Sequence, residues 1–430
     1  MSALLGCGGD GHGNGPTTPT PSPSGTPPIQ PTPTATPDPT FTIAEDLPSA
    51  SGVAAAFGGE RYLVTFSQPT DRAYDDVVGV RLTTDGSVLD SAPLLLSDLG
   101  AEPFLGPVGA YVPGGIAFAS GSFGAFFFGS SVNDAAGPPG QVVGFVGVPP
   151  DGPPVLPATA IDEQLSFSMA QTALVSPVAA TSNGALFLGV YQRVLSLAGA
   201  FLVSRVTGQI VTGPPDVRAQ EIGPFSGIAP PPDGIITSGS PPGVATRDDG
   251  AALVAWIETV VDQDRPSDPT TRLQGVVLTE SAATPVTLAG ANANSYGVAI
   301  ATEGTSFLIV WSTATDADPN TRSELRAIRY TPGGAPEPAG GFVVAGGAAA
   351  KDIAGIVFAS GEFLVAWTEN GALRAARLGT TGTAVTQLTL EPGPVAAATL
   401  ATDGARVLVV FEREESNDRF DILGRFVTLE

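Results

Sequence analysis

Seven times along the chain a short apolar run ends on a bulky aromatic: RYLVTF at Phe66, GAFFF at Phe128, ALFLGVY at Tyr191, ALVAW at Trp256, FLIVW at Trp311, FLVAW at Trp367 and RVLVVF at Phe411. The spacing, roughly 44 to 65 residues from one to the next, is that of an architecture built by repeating one supersecondary unit. Each unit buries its apolar surface only against its neighbours, so a chain of 430 residues is expected to form one array rather than two or three separate domains.

The fourth repeat shows the unit most clearly. GVATR is followed by the turn Asp248-Asp249-Gly250, then ALVAWIE, a polar loop, RLQGVVLTE and TPVTLAG. These read as four short strands, a to d. The a-to-b connections carry hairpin chemistry at Gly58-Gly59, Gly121, Asn183-Gly184, Asp249-Gly250, Glu303-Gly304, Gly361 and Asp403-Gly404, residues that accept a positive φ. Asp85-Gly86, Asp151-Gly152, Thr207-Gly208 and Gly333-Gly334 are expected to play the same part between c and d. With 54 glycines and 41 prolines in a chain that is still 43% hydrophobic, many short strands and tight turns are the economical reading. Strand a is rich in small residues, as crowding at a common axis requires, and strand b is apolar almost throughout, as a strand covered on both faces must be.

Antiparallel four-stranded units repeated radially make a β-propeller. The ends of the repeat region indicate how it closes. FTIAED at 41–46 reads as a d strand with no a, b or c before it, and DILGRFVTLE at the other end reads as a c strand with no d after it. The expectation is therefore an all-β, seven-bladed propeller of four-stranded antiparallel blades, with strand 41–46 completing the C-terminal blade and removing an unpaired edge.

The chain starts MSALLGCGGDGHG, in which Leu4, Leu5, Gly6 and Cys7 resemble the lipobox of bacterial lipoproteins. That resemblance implies lipidation of Cys7 and a cell-envelope location, at the outer membrane, the periplasmic side of the inner membrane or the cell surface. The expected domains are a truncated signal and lipobox region at 1–14, a disordered Pro/Thr-rich tether at 15–40 and the propeller at 41–430. A tether in polyproline II conformation would reach up to roughly 80 Å from its anchor. The propeller region resembles bacterial cell-envelope propellers with FLVAW-type b strands and DG turns. It shows no recurrent WD dipeptide, sialidase Asp box or kelch diglycine pattern.

A formal net charge of -23, with Lys351 the only lysine, argues against a nucleic-acid partner. Cys7 is the only cysteine, which excludes an intramolecular disulfide framework and a cysteine-based zinc site, and the only histidine, His12, precedes the repeats. No GxSxG elbow or GxxxxGK phosphate loop is present. Carboxylate chemistry remains. The b-to-c loops carry Asp71, Asp75 and Asp76, then Asp262, Asp264 and Asp268, then Asp316 and Asp318, and finally Glu414, Glu415 and Asp418. The same acids would also keep the protein in solution.

Within that set, Asp316, Asp318 and Asn320 place oxygens at alternate positions, as a calcium site would. The long d-to-a loops of the first three blades bring Phe104, Tyr111, Phe167, Met169 and Phe225 toward the same face, where aromatics beside carboxylates suit a glycan or a protein. The leading functional reading is a monomeric, lipid-anchored envelope protein that binds or scaffolds a protein or glycan through this face. The alternatives are a carboxylate-dependent carbohydrate hydrolase or lyase, and a calcium-stabilised structural module.

Overall fold

In a computed structural model the chain is a seven-bladed all-β propeller. The structure describes residues 38–48, 52–69, 75–99, 108–131, 140–165, 174–175, 178–197, 201–212, 219–224, 234–238, 240–262, 265–279, 282–291, 295–315, 321–380, 385–415 and 419–429. In order a to d, the first blade is Val53–Gly58, Arg61–Pro69, Asp75–Leu82 and Leu94–Leu95, and the second is Val108–Ala119, Ser122–Ser131, Gly140–Val148 and Thr159–Leu165. The third is Ala179–Ser182, Leu186–Leu197, Phe201–Thr212 and Ala219–Pro224; the fourth is Gly243–Thr246, Ala252–Asp262, Arg265–Leu278 and Ala283–Ala291. The fifth is Tyr296–Thr302, Phe307–Thr313, Glu324–Tyr330 and Glu337–Ala345; the sixth is Asp352–Ala359, Glu362–Glu369, Ala372–Gly379 and Val385–Glu391. The seventh takes Val395–Thr402, Arg406–Glu414 and Phe420–Thr428 from the end of the chain and Phe41–Leu47 from its beginning.

Closure follows the expected route. Phe41–Leu47 pairs antiparallel with Phe420–Thr428, from Phe41 opposite Gly424 to Leu47 opposite Phe420. Pairing starts slightly before that strand, because the Asp38 N–H donates to Phe426 O at 3.0 Å and Arg425 donates to Thr40 Oγ1. The seven a strands touch in succession, and the last touches the first, so the inner wall is a complete ring.

The core lies between blades rather than within them, in seven apolar clusters among the described residues. Strand b of the fifth blade shows why it is apolar throughout. Phe307, Ile309 and Trp311 pack toward the fourth blade, while Leu308 and Val310 pack toward the sixth. The repeated aromatic always faces the preceding blade: Phe66, Phe127, Tyr191, Trp256, Trp311, Trp367 and Phe411. In the second blade the role falls to Phe127 rather than Phe128, which packs toward the third blade. A run of three phenylalanines hides its register in the sequence, and only the pairing of the strands resolves it.

All seven a-to-b turns have the anticipated positive φ at glycine: Gly59, Gly121, Gly184, Gly250, Gly304, Gly361 and Gly404. Of the c-to-d turns, Gly86 and Gly333 have it too, but Thr207 and Gly208 do not form a turn. They lie inside Phe201–Thr212, paired with Tyr191 and Val190. The dipeptide falls instead within a longer hairpin, whose strands pair from Leu186 opposite Thr212 to Leu197 opposite Phe201.

Side chains lock the face that carries these turns. Ser120 Oγ donates to Ala185 O, Ser360 Oγ to Ala405 O, and an Arg247 Nη to Thr305 O, each reaching the next blade's turn. Arg81 bridges Asp90 and the carbonyls of Pro149, Pro150 and Gly152 in the second blade. This face is held from blade to blade by short, fully specified contacts.

Candidate functional site

The opposite face carries the b-to-c and d-to-a connections, and its relief is uneven. Strands b of the third and fourth blades run to Leu197 and Asp262, about four residues further past their aromatic than in the fifth blade, or about 13 Å at roughly 3.3 Å per residue. Leu174–Val175 and Gly234–Ser238 pair along these raised hairpins and widen them. In the sixth blade, by contrast, b and c are joined by the two residues Asn370 and Gly371, both at positive φ. Among the described residues the loop face thus has a wall over the third and fourth blades and a low floor at the sixth.

Just past the repeated aromatics, polar residues fasten the loop-face ends of the a strands. Ser67 Oγ donates to Tyr111 O at 2.7 Å, Ser312 Oγ to Tyr296 O at 2.6 Å, and the Gly52 N–H to Glu412 Oε1 at 2.9 Å. Asp76, one of the acids marked in the sequence, is 1% exposed and accepts from Ser97 Oγ at 2.9 Å. Glu415 pairs with Arg413 at 2.8 Å. Asp76 therefore fastens the scaffold, while Glu415 stays 43% exposed beside its arginine.

Where the floor meets the axis, the fifth and sixth blades bring together Tyr296, Arg322 and Asp352. Tyr296 opens strand a of the fifth blade. It pairs with Ser312 while Val298 pairs with Trp311, so Gly297 is the extra residue of a bulge, at φ 66°. Bulges re-aim side chains, and this one leaves Tyr296 41% exposed, one of the few large hydrophobic side chains so placed among the described residues. The Arg322 guanidinium lies over the ring, 4.7 Å from its centroid. An Nη of the same group is 3.1 Å from Asp352 Oδ1, whose side chain is 60% exposed.

The only lysine of the chain braces this trio from below. Lys351 is 0% exposed. Its Nζ donates to Ser323 O at 2.9 Å and Ala349 O at 3.0 Å and lies 3.0 Å from Glu369 Oε1. Two carbonyls and a carboxylate thus surround the ammonium, as a buried cation requires. The Lys351 N–H also donates to Arg322 O at 2.9 Å. Segment Arg322-Ser323 is thereby tied to segment Lys351-Asp352, and the guanidinium is held between the ring and the carboxylate. The result is a rigid platform with an exposed aromatic, a donor and an acceptor.

Of the aromatic and methionine side chains singled out in the sequence for this face, Tyr111 is the one described, and the structure places it in the core. It is 5% exposed and meets the Phe127 ring edge-on at 5.5 Å between centroids. Phe104, Phe167, Met169 and Phe225 lie outside the described residues, as do Asp316, Asp318, Asn320 and Cys7. Among the described residues no group of three or more His, Cys, Asp or Glu side chains is arranged to hold a metal ion. Sequence reasoning passed over Tyr296, Arg322 and Asp352. The available signal was Tyr296-Gly297 at the head of GVAIA, since an isolated glycine in a strand marks a bulge.

No protein-family model matches the chain, and no curated protein matches it. Among solved structures, the phage phi92 endosialidase aligns with a TM-score of 0.51 and 9% identity over 91% of this chain and 69% of that one. A protein of unknown function from Dyadobacter fermentans aligns with a TM-score of 0.47 and 13% identity, over 91% and 99% of the two chains. Trypanosoma rangeli sialidase aligns with a TM-score of 0.41 and 10% identity over 88% of this chain and 55% of that one. At such identities the likeness shows the fold alone.

Proposed function

We propose that the protein is a lipid-anchored binding or scaffold component of the cell envelope, attached through Cys7, whose loop face takes a protein or glycan partner. The observation that carries this reading is the platform of Tyr296, Arg322 and Asp352. Tyrosine and arginine are the side chains most used as recognition anchors, and they contribute most when fixed before the partner arrives. The bulge and the buried Lys351 do that fixing. Phe104, Phe167, Met169 and Phe225, on the long d-to-a loops, would extend the contact surface.

The direction of the closing strand fits a tethered receptor. Phe41 packs near Gly86, on the turn face, and the strand runs from there toward the loop face, where Asp46 pairs with Arg419. Asp38, where the described residues begin, lies at the turn-face end of that strand, opposite the loop face.

Two measurements test the proposal. Envelope extracts are passed over the full-length protein, a Tyr296→Ala/Asp352→Ala variant and a Phe104→Ala/Phe167→Ala/Phe225→Ala variant. Specific proteins or glycans retained by the parent are expected to be lost with the first variant and reduced with the second; equal recovery by all three overturns the loop-face reading. For the anchor, cell fractionation is expected to place the parent with membranes and Cys7→Ala in the soluble fraction. A parent that already fractionates as soluble removes the anchor from the proposal.

A further inference from the structure

Resting on the loop-face reading, we infer that Tyr296, Arg322 and Asp352 form a subsite for a pyranose ring of a neutral glycan. The guanidinium lies over one face of the Tyr296 ring, and the residue as a whole remains 41% exposed. An exposed aromatic face beside polar groups matches the amphipathic structure of a pyranose, which has a patch of C–H groups on its ring face and hydroxyls around its rim. Beside the ring, the carboxylate of Asp352 accepts and the guanidinium of Arg322 donates from atoms 3.1 Å apart. Adjacent hydroxyls of a pyranose lie at a similar spacing, and each can donate to one group while accepting from the other. A flat apolar surface and a neighbouring donor–acceptor pair are thus both present.

Electrostatics selects among sugars. Asp352 already neutralises the charge of Arg322, and the chain has a formal net charge of -23. A carboxylated or sulfated sugar would approach an acidic molecule and meet a guanidinium already paired with Asp352. A neutral ring meets no such penalty. Order is supplied in advance: Ser312 holds the Tyr296 carbonyl, and the 0% exposed Lys351 holds the segment that carries Arg322, so little freedom is lost on binding.

The test is calorimetry with saturation-transfer NMR on the full-length protein, using maltohexaose, cellohexaose, mannohexaose, xylohexaose and chitohexaose as neutral probes and hexagalacturonate and colominic acid as acidic ones. At least one neutral probe is expected to bind, with ring protons saturated from aromatic resonances. Affinity should fall at least about tenfold in Tyr296→Ala and in Asp352→Ala and stay within about twofold in Tyr296→Phe, which keeps the stacking face. Thermal melts of each variant separate loss of the subsite from loss of the fold, and the exposed positions of Tyr296 and Asp352 make unchanged melting the expected result. Binding that survives Tyr296→Ala overturns the subsite but leaves a glycan partner in place. Binding confined to the acidic probes overturns the ligand class. No binding to any probe overturns the inference, and the loop-face reading is then decided separately by the extract experiment.

Discussion

At the scale of single residues, a buried charge does more to organise this molecule than its many exposed ones. Removing the Lys351 ammonium leaves the carbonyls of Ser323 and Ala349 and the half-buried Glu369 carboxylate without the cation they share. Leaving these acceptors without a donor costs about 1–3 kcal/mol. Lys351→Met is expected to lower the midpoint of urea unfolding by a corresponding amount and to weaken glycan binding with it. A variant unfolding like the parent would show that the ammonium is dispensable. Lys351 was conspicuous in the sequence as the only lysine, but its role depends on carbonyls at Ser323 and Ala349 that no side-chain pattern announces. Tyr111 fails in the opposite sense. As an aromatic expected on a d-to-a loop it suggested a surface residue, yet the strand begins earlier than the loop composition implied and carries it under the neighbouring blade.

At the scale of elements, the closing strand bears the heaviest responsibility. Phe41–Leu47 covers Phe420–Thr428 and contributes Ile43 and Leu47 to the interface with the first blade. Deleting residues 38–47 is expected to lower the melting temperature severely and expose an aggregation-prone edge, measurable by calorimetry and light scattering. A truncated chain that melts like the parent would contradict the closure. Acid should act on the same strand. The side-chain hydrogen bond from Arg419 holds Asp46 below its ordinary value of 3.8. A lowered folded-state pKa gives stability that is present above the ordinary value and lost as pH falls through the lowered one. Asp46→Asn should therefore be slightly less stable than the parent at neutral pH and converge with it below about pH 4, and melting curves across pH 2–7 will show whether it does. The orphan d strand and the seven a-to-b turns were legible because each rests on local chemistry, a glycine that must take positive φ or an apolar run without a partner. The raised hairpins were not, since strand length past the repeated core depends on what lies alongside.

At the scale of the whole molecule, fold and recognition are assigned to opposite ends of the same blades. The turn face repeats closely and is stapled from blade to blade, whereas the loop face varies from a two-residue turn to hairpins that run about 13 Å further than in the fifth blade. The repeat could be read from the sequence because its periodicity is a property of the stapled half. The candidate site could not, because it joins residues from two blades and depends on where the repeat is broken. Charge is also a global property. With a formal net charge of -23, self-repulsion opposes the compact ring, so the melting temperature at neutral pH is expected to rise between about 10 mM and about 0.5 M sodium chloride as the Debye length shrinks. A falling melting temperature would mean that the arginine pairs outweigh the excess of acids.

The antiparallel seam between Phe41–Leu47 and Phe420–Thr428 also sets how the molecule responds to force. Asp38 meets Phe426 at the outer end of that seam, so a pull applied between the two ends of the domain acts across the ladder rather than along it. The hydrogen bonds then carry the load one after another, as in a zipper, instead of sharing it as they would in shear. The contact that does most to hold the ring at rest is therefore the one that yields first under tension.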